Sequence, residues 1–456
     1  MVCAMITLYV VALLTDLRQI TLLHMIVCLN TDFKNMVAAY CYSLDQKRYV
    51  NSMKKYWTLR YTLINILYFA AFCTLHGYAS VFLLSKGFTN TEVGMALALA
   101  NILCVLCQPI IAGIVDRSES VTNRRVVIAA NIIMLLGTAA LLFIGNSKGA
   151  IFIIYVLIYM IQFSFQPMMI AMNFEYQSKG ATINFGLARG MGSAGFAVTS
   201  AFLGRAIAQS GTMIILYVTM AVVLAMIIVA YLFKEPDGEI VVDKEACEKA
   251  KEAKGDEPAA GPSDFLTFVR KYPVFMLFVL ATACCFFSHN MLNDFLIQII
   301  RELGGGETEL GYASFLQAIL ELPVMALMGI LLKKIKTRTL LIFSAVAFLA
   351  KVTIMYMASG LGGMFLSQAF QMFAYAVFIP VSAYYAEEVM EGNDKVKGQA
   401  FINIAITLGG VFSNLVSGRI LDKFGVSAML ICGMAVTAVG VIIMITAMRK
   451  KPVKIC

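Results

Sequence analysis

Charge is what this chain has least of. Asp, Glu, Lys and Arg make up 14% of its 456 residues, against about a quarter in a soluble protein. So thin a supply cannot clothe a water-exposed globular surface. Proline (9), histidine (3) and tryptophan (1) are also few. No glycine-rich phosphate loop occurs, and the one Cys-x-x-Cys spacing, Cys104 and Cys107, has no second ligand pair, so no soluble enzyme constellation, metal site or cofactor is expected. Most of the 11 cysteines fall within apolar segments, as Cys104 and Cys107 do in ANILCVLCQP, and read as packing residues. Lys and Arg exceed Asp and Glu by 36 to 27, but the excess is scattered, which argues against nucleic acid as a partner.

What the chain has instead is apolar length. Hydrophobic residues are 60% of the total, and mean hydropathy is +0.81. Runs of about twenty apolar residues recur, each long enough to cross ~30 Å of hydrocarbon as a helix. Whole runs are apolar without strand-like alternation, which excludes a transmembrane β-barrel. The expected class is an all-α membrane protein.

Breaks at charged, Gly and Pro residues place spans near 60–84, 91–115, 125–146, 149–172, 187–210 and 212–233. A second set follows near 273–300, 310–332, 338–358, 361–386, 398–420 and 426–448. Twelve helices in two bundles of six result, 53–233 and 273–448, joined by a polar linker, 234–272, and followed by a short tail, 449–456. The linker segment DKEACEKAKEAKGDEPAAGPSD has no apolar face to bury and reads as a tether. Residues 1–52 fit poorly. Their two apolar runs are too short to span and flank Thr15 to Gln19, so they are expected to be an upstream extension, with translation starting at Met53.

Lys and Arg concentrate in alternate loops. One side holds six, Lys86, Lys148, Arg205, Arg301, Arg419 and Lys423, and the other holds the great majority. By the positive-inside rule both termini and the linker are cytoplasmic.

The halves repeat. Thr91-Glu92-Val93-Gly94 recurs as Thr308-Glu309-Leu310-Gly311, and Gly204-Arg205 recurs as Gly418-Arg419, with Gly195 and Gly409 at the same offset before them. Capping residues recur wherever helices end, but several elements in register favour duplication. A duplicated six-plus-six protein is the organisation in which two halves rock about a midplane site. Nothing reads as a channel filter or a repeated charged ring.

CQPIIAGIVDR, Cys107 to Arg117, resembles the loop motif that follows the second helix in the major facilitator superfamily, with Ala112 where glycine is usual and Asp116 in the acidic position. Asn184-Phe185-Gly186-Leu187-Ala188-Arg189-Gly190-Met191-Gly192, with Ser193-Ala194-Gly195-Phe196 after it, resembles the fifth-helix signature of the lactose permease and nucleoside/oligosaccharide:proton symporter branch. The resemblance implies the major facilitator fold and solute transport coupled to protons, or to sodium in their place. It also implies a monomer in the cytoplasmic membrane of a bacterial cell.

A charge inside a span costs at least ~2.5 kcal/mol on insertion scales and so needs a partner or a function. Arg189 lies among glycines early in the fifth span; in the permease family the matching arginine binds sugar through a fork of hydrogen bonds. The alternative is an arginine reaching back to the interface. Glu321, in LQAILELPVMAL, and Lys351, in VAFLAKVTIM, are mid-span in the eighth and ninth helices and form the leading candidate pair. Burial favours a neutral carboxyl, so Glu321 can cycle between protonated and charged states. A permanently neutralised pair fits the sequence nearly as well.

The chain departs from the lactose permease in helix ten, where Gln371-Met372-Phe373-Ala374 stands in place of a histidine and proton-binding glutamate. Phe196 replaces the indole of helix five, and Ala171 the glutamate of helix four. Lactose is therefore not the expected solute, and Glu175 and Asp294 remain further candidates for proton coupling. Neutral polar groups are plentiful: His289, Asn290, Asn293 and Gln298 in helix seven, with Gln162, Gln166, Gln317, Gln368, Gln371 and Asn403. Any one of these can be helix-to-helix glue. As a set they suit a neutral, hydroxyl-rich solute. His76, beside Tyr78, is divided evenly between cavity and packing. Asp116 and Arg117, with Arg124, Arg125 and Lys333, read as a cytoplasmic gate.

The expected function is thus proton-coupled uptake of a sugar, oligosaccharide or nucleoside. A proton-driven exporter of drugs or metabolites requires a more apolar cavity. A non-transporting receptor requires an output domain, and the linker carries none.

Overall fold

The two halves begin in the same unusual way. In the computed structural model, which describes residues 56–118, 120–234, 265–391 and 394–449, helix α1 covers Tyr56–Gly77 and breaks at Tyr78, resuming as Ala79–Ser85. Helix α7 covers Pro273–Asp294, breaks at Phe295 and resumes as Leu296–Glu302. Each then turns on a glycine in the left-handed region, Gly87 at φ 79° and Gly304 at φ 81°. The next helices, α2 at Asn90–Arg117 and α8 at Glu307–Lys334, are both 28 residues long and each carries one internal proline, Pro109 or Pro323. The repeated Thr-Glu-X-Gly motif is the opening turn of these two helices. Glu92 accepts from the Thr89 amide at 2.8 Å and Glu309 from the Gly306 amide at 2.7 Å, which satisfies orphan donors of the first turn.

The remaining spans are α3 (Asn123–Phe143), α4 (Lys148–Ser164 and Gln166–Ser178), α5 (Phe185–Ser210) and α6 (Ile214–Leu232). In the second half they are α9 (Thr337–Met357) and α10 (Leu361–Ala369, a 3-10 turn at Phe370–Met372, then Tyr375–Val389). The helical run Asp394–Arg449 is divided by Gly425 at φ 79° into α11 (394–424) and α12 (426–449). Each of the twelve expected spans is helical, and the fold is an all-α bundle of two pseudo-symmetric sets of six. A short helix, Phe265–Lys271, precedes α7, and Lys271 pairs with Asp394 at 3.0 Å. The expected extension 1–52, residues 235–264 of the expected linker 234–272 and the tail from 450 lie outside the described residues.

The duplicated glycines form a seam between the halves. Gly94 of α2 lies on the backbone of Asn414 in α11, and Gly418 of α11 on that of Asn90. In the image contact, Gly204 of α5 lies on Glu307 of α8, and Gly311 of α8 on Ser200. A β-carbon at any of the four would overlap the partner backbone, so the residues that mark the repeat also allow the halves to close. Gly195 and Gly409 do the same within each half, against Ile66 of α1 and against Ala283 and Phe286 of α7. At the far ends of α2, α5 and α8 the arrangement reverses, and Gly113, Gly190 and Gly329 have nothing within 4 Å of where a β-carbon would stand. The seam is closed on the face of the α1–α2 and α11–α12 turns and open at the other.

A carboxylate pins the closed face. Asp422, at the end of α11, accepts from the amide and side chain of Asn90 at 3.1 and 2.9 Å, and from the amide and hydroxyl of Thr91 at 2.7 and 2.6 Å. An anion at a helix N-terminus meets both free amides and the helix dipole. The image contact lacks this carboxylate, since Ala208 is the aligned residue. It uses Arg205 over the ring of Tyr312 at 5.0 Å. Asp422→Asn is expected to leave folding intact and to raise alkylation of a cysteine placed at Ser80, just beneath the seal, roughly tenfold from that face. An unchanged rate removes Asp422 from the latch.

Candidate functional site

Inside the second half, three side chains from three helices join in a chain. Lys351 of α9 is fully buried. Its ammonium donates to Gln371 Oε1 at 2.7 Å, and Gln371 Nε2 donates to Glu321 Oε1 at 3.0 Å. The two charges expected to pair directly are therefore linked through an amide. The break in α10 makes this possible, because the 3-10 turn at Phe370–Met372 turns Gln371 inward. The break is tied to α9 twice, by Ser344 donating to the Ala374 carbonyl and by Ser367 donating to that of Lys351, both at 2.7 Å. Glu321 itself is half-buried, two residues before Pro323.

Around this chain stand His289, Tyr375 and Arg189. The imidazole of His289 stacks on Tyr375 with centroids 5.0 Å apart and planes 12° apart, and its Nε2 lies 3.1 Å from the Asn293 amide. Arg189 comes from the other half, at the start of α5, where Asn184 caps the helix by accepting from the Leu187 amide at 3.0 Å. Its guanidinium lies 4.2 Å from the ring centre of Phe69 and reaches Ser193 at 3.4 Å. It is half-buried and within electrostatic reach of Glu321 and Tyr375.

His76 sits on the π-helical turn Cys73–Gly77 that ends α1. Its ring is 92% buried, stacked on Phe72 at 4.3 Å and flanked by Tyr159 and Phe163, and neither ring nitrogen has a partner. Buried polar atoms without partners are uncommon, and π-turns recur at functional positions. Phe196 lies beside it, 3.7 Å from where a β-carbon on Gly77 would stand.

Several other polar candidates are occupied by helix contacts. Gln162 Nε2 donates to the Tyr68 carbonyl at 3.1 Å and the Gln162 main-chain carbonyl takes the Tyr68 hydroxyl at 3.2 Å, while Gln162 Oε1 has no partner. Asn290 donates to the Phe286 carbonyl at 2.9 Å, one turn back on its own helix. Gln298 donates to Asn90 at 2.9 Å and belongs to the seam. Gln166 and Gln317 are half-buried and Asn403 is exposed. Gln368 is fully buried with neither amide atom partnered. Asp294 closes α7, its carbonyl taking the Ser80 hydroxyl. Glu175 is remote from the Glu321 chain; it accepts from Asn123 at 2.9 Å and pairs with Lys179 at 3.6 Å near the end of α4.

On the open face, Arg124 donates to the carbonyls of Ala230 and Tyr231, joining α3 to the end of α6, and Arg125 donates to Ser120. Arg117 and Lys333 are exposed. Asp116 is helical, and its side chain lies outside the described residues. Cys107 approaches the Met160 sulfur at 3.7 Å and Cys104 accepts from Gln108 at 3.3 Å, local contacts in the interior of the N-terminal half.

Two pseudo-symmetric halves, a seam closed at one end and charged groups buried within the second half define a transporter-type fold. The chain matches the MFS_1 like family over residues 56–432 and belongs to it. Solved structures of similar fold include a point mutant of a nucleoside transporter, NupG (TM-score 0.69, 13% identity, covering 86% of this chain and 100% of that one). Another is a D-xylose-proton symporter (0.62, 16%, 86% and 96%), and a third an auto-inhibited POT family peptide transporter (0.63, 14%, 86% and 96%). At these identities the likeness is one of fold. No curated protein matches the sequence.

Proposed function

We propose that this protein takes up a neutral hydrophilic solute, a sugar, oligosaccharide or nucleoside, together with protons. The observation that carries the reading is the chain from Glu321 through Gln371 to Lys351, with Arg189 of the other half within electrostatic reach of Glu321. A carboxyl group able to gain and lose a proton beside a solute-binding arginine is what coupling requires. His76, with two free ring nitrogens among aromatic rings, offers one donor and one acceptor to a hydroxyl group. The Lys and Arg distribution makes the closed face the outer one, so the conformation is open to the cytoplasm, where both termini and the linker 234–272 lie. Bundles 53–233 and 273–448 then rock about the site, and the glycine seam parts as the outer face opens.

The test is uptake of labelled D-xylose, lactose, sucrose, uridine and adenosine into proteoliposomes under an imposed pH gradient. Accumulation of one of them that collapses with the gradient supports the reading; accumulation driven by a sodium gradient alone, or outward pumping, overturns it.

The gate carries its own expectation. Asp116→Asn slows turnover several-fold without weakening solute binding, because an acidic group at a helix end acts on the conformational equilibrium and not on the site. Normal turnover in that variant removes Asp116 from the gate.

A further inference from the structure

We infer that Gln371 is a positioning residue that transmits the charge state of Glu321 to Lys351, so that a proton taken up on α8 is felt on α9. The inference rests on the proton-coupling reading above and gives it a route.

The first ground is orientation. The amide presents its oxygen to the ammonium at 2.7 Å and its nitrogen to the carboxylate at 3.0 Å. Turned over, it would set donor against donor and acceptor against acceptor, so the two charges together fix which way it points. The second ground is burial. Lys351 is fully buried and Gln371 is 1% exposed, and a buried ammonium without a counter-charge is costly. Glu321 supplies that charge one amide away. Its pull on the Gln371 N–H polarises the amide and strengthens the oxygen as an acceptor for Lys351.

The third ground is rigidity. The Ser344 and Ser367 hydroxyls fasten the broken part of α10 to α9 on both sides of Gln371. The amide cannot drift away when one of its bonds weakens. When Glu321 takes a proton, its bond from Gln371 loses charge assistance and Lys351 loses its counter-charge. The ammonium must then release its proton or part from the chain, and either event loosens α9 from α8. Among the described residues, the titratable or charged groups coupled to the chain include His289 of α7, Tyr375 of α10 and Arg189 of α5. The histidine is held by Asn293 and Tyr375 and also lies within reach of the Gln371 side chain and the Lys351 charge.

The test reads Glu321 directly and needs no solute. Infrared titration of the purified full-length protein follows a carboxylic-acid band, assigned by its loss in Glu321→Gln. Lys351→Met is expected to move the midpoint of that band to higher pH by about one unit, a tenfold change in proton affinity. Gln371→Met, similar in length but unable to make either bond, is expected to move it in the same direction. In the Gln371→Met background, Lys351→Met should add less than half of its shift in the wild type. Equal Lys351→Met shifts in the two backgrounds overturn the relay. Gln371→Asn, one methylene shorter, replaces Gln371→Met if the latter does not fold.

The function is tested separately with labelled uridine and D-xylose under a pH gradient. If neither is moved by the gradient in the wild type, the uptake reading fails for these solutes while the titration cycle keeps its meaning. If uptake is proton-driven but the midpoint shifts are additive, only the relay is lost.

Discussion

Replacing Arg189 with lysine is expected to lower solute affinity by one to two orders of magnitude, with expression and helix content unchanged. The guanidinium lies over Phe69 at 4.2 Å and is steadied by Ser193, so its planar fork is held in one orientation. A lysine keeps the charge but neither stacks over the ring as a plane nor presents two parallel donors. Each charge-assisted hydrogen bond lost is worth about 1.5–3 kcal/mol, which sets the size of the effect. Equilibrium binding of the transported solute to the detergent-solubilised variant reads it directly. Arg189 is half-buried in the second turn of α5 and held over an aromatic ring; the competing role of an interfacial anchor predicts unchanged affinity, and that result would return Arg189 to the interface.

Much of the fold was legible because a membrane leaves the chain few choices. Apolar runs of spanning length must be helices, and the breaks at Gly87, Gly211, Gly304 and Gly425 occur where a left-handed residue is required. The repeated motifs also showed the duplication. Their physical meaning was hidden, because Gly94 and Gly418 owe their place to backbone approaching from the other half, and spacing along one helix does not reveal that. Asp422 was missed for the same reason: its partner Thr91 lies 331 residues away.

In the site, Glu321 and Lys351 announced themselves as charges within apolar runs. Gln371 stood among the neutral polar candidates, but its place between the two charges was not legible. Gln371 reaches the chain because α10 breaks at Phe370–Met372, and that stretch holds no Gly or Pro to signal a break. Among the neutral amides, Gln162 and Asn290 bond to helix carbonyls, and composition alone has no means of separating them from His76, whose ring nitrogens are free. A π-turn, too, has no sequence signature that a hydropathy pattern would expose.

Glu321→Gln is expected to abolish uphill accumulation while leaving exchange of solute across the membrane. The amide imitates a permanently protonated carboxyl, and exchange needs no deprotonation, so the solute still binds and the halves still rock. The variant also retains a hydrogen bond from Gln371, which limits structural damage. Lys351→Met leaves Glu321 without its distant counter-charge, which disfavours the ionised form and moves the pH dependence of uptake upward. The double variant, Glu321→Gln with Lys351→Met, leaves no buried charge uncompensated and should express better than Lys351→Met alone. The readouts are accumulation under a pH gradient, counterflow at equal pH and the yield of folded protein. If Glu321→Gln still concentrates solute against a gradient, coupling does not pass through Glu321. Asp294, at the end of α7 beneath the closed seam, then becomes the carboxylate to test, ahead of Glu175, which is already engaged by Asn123 and Lys179.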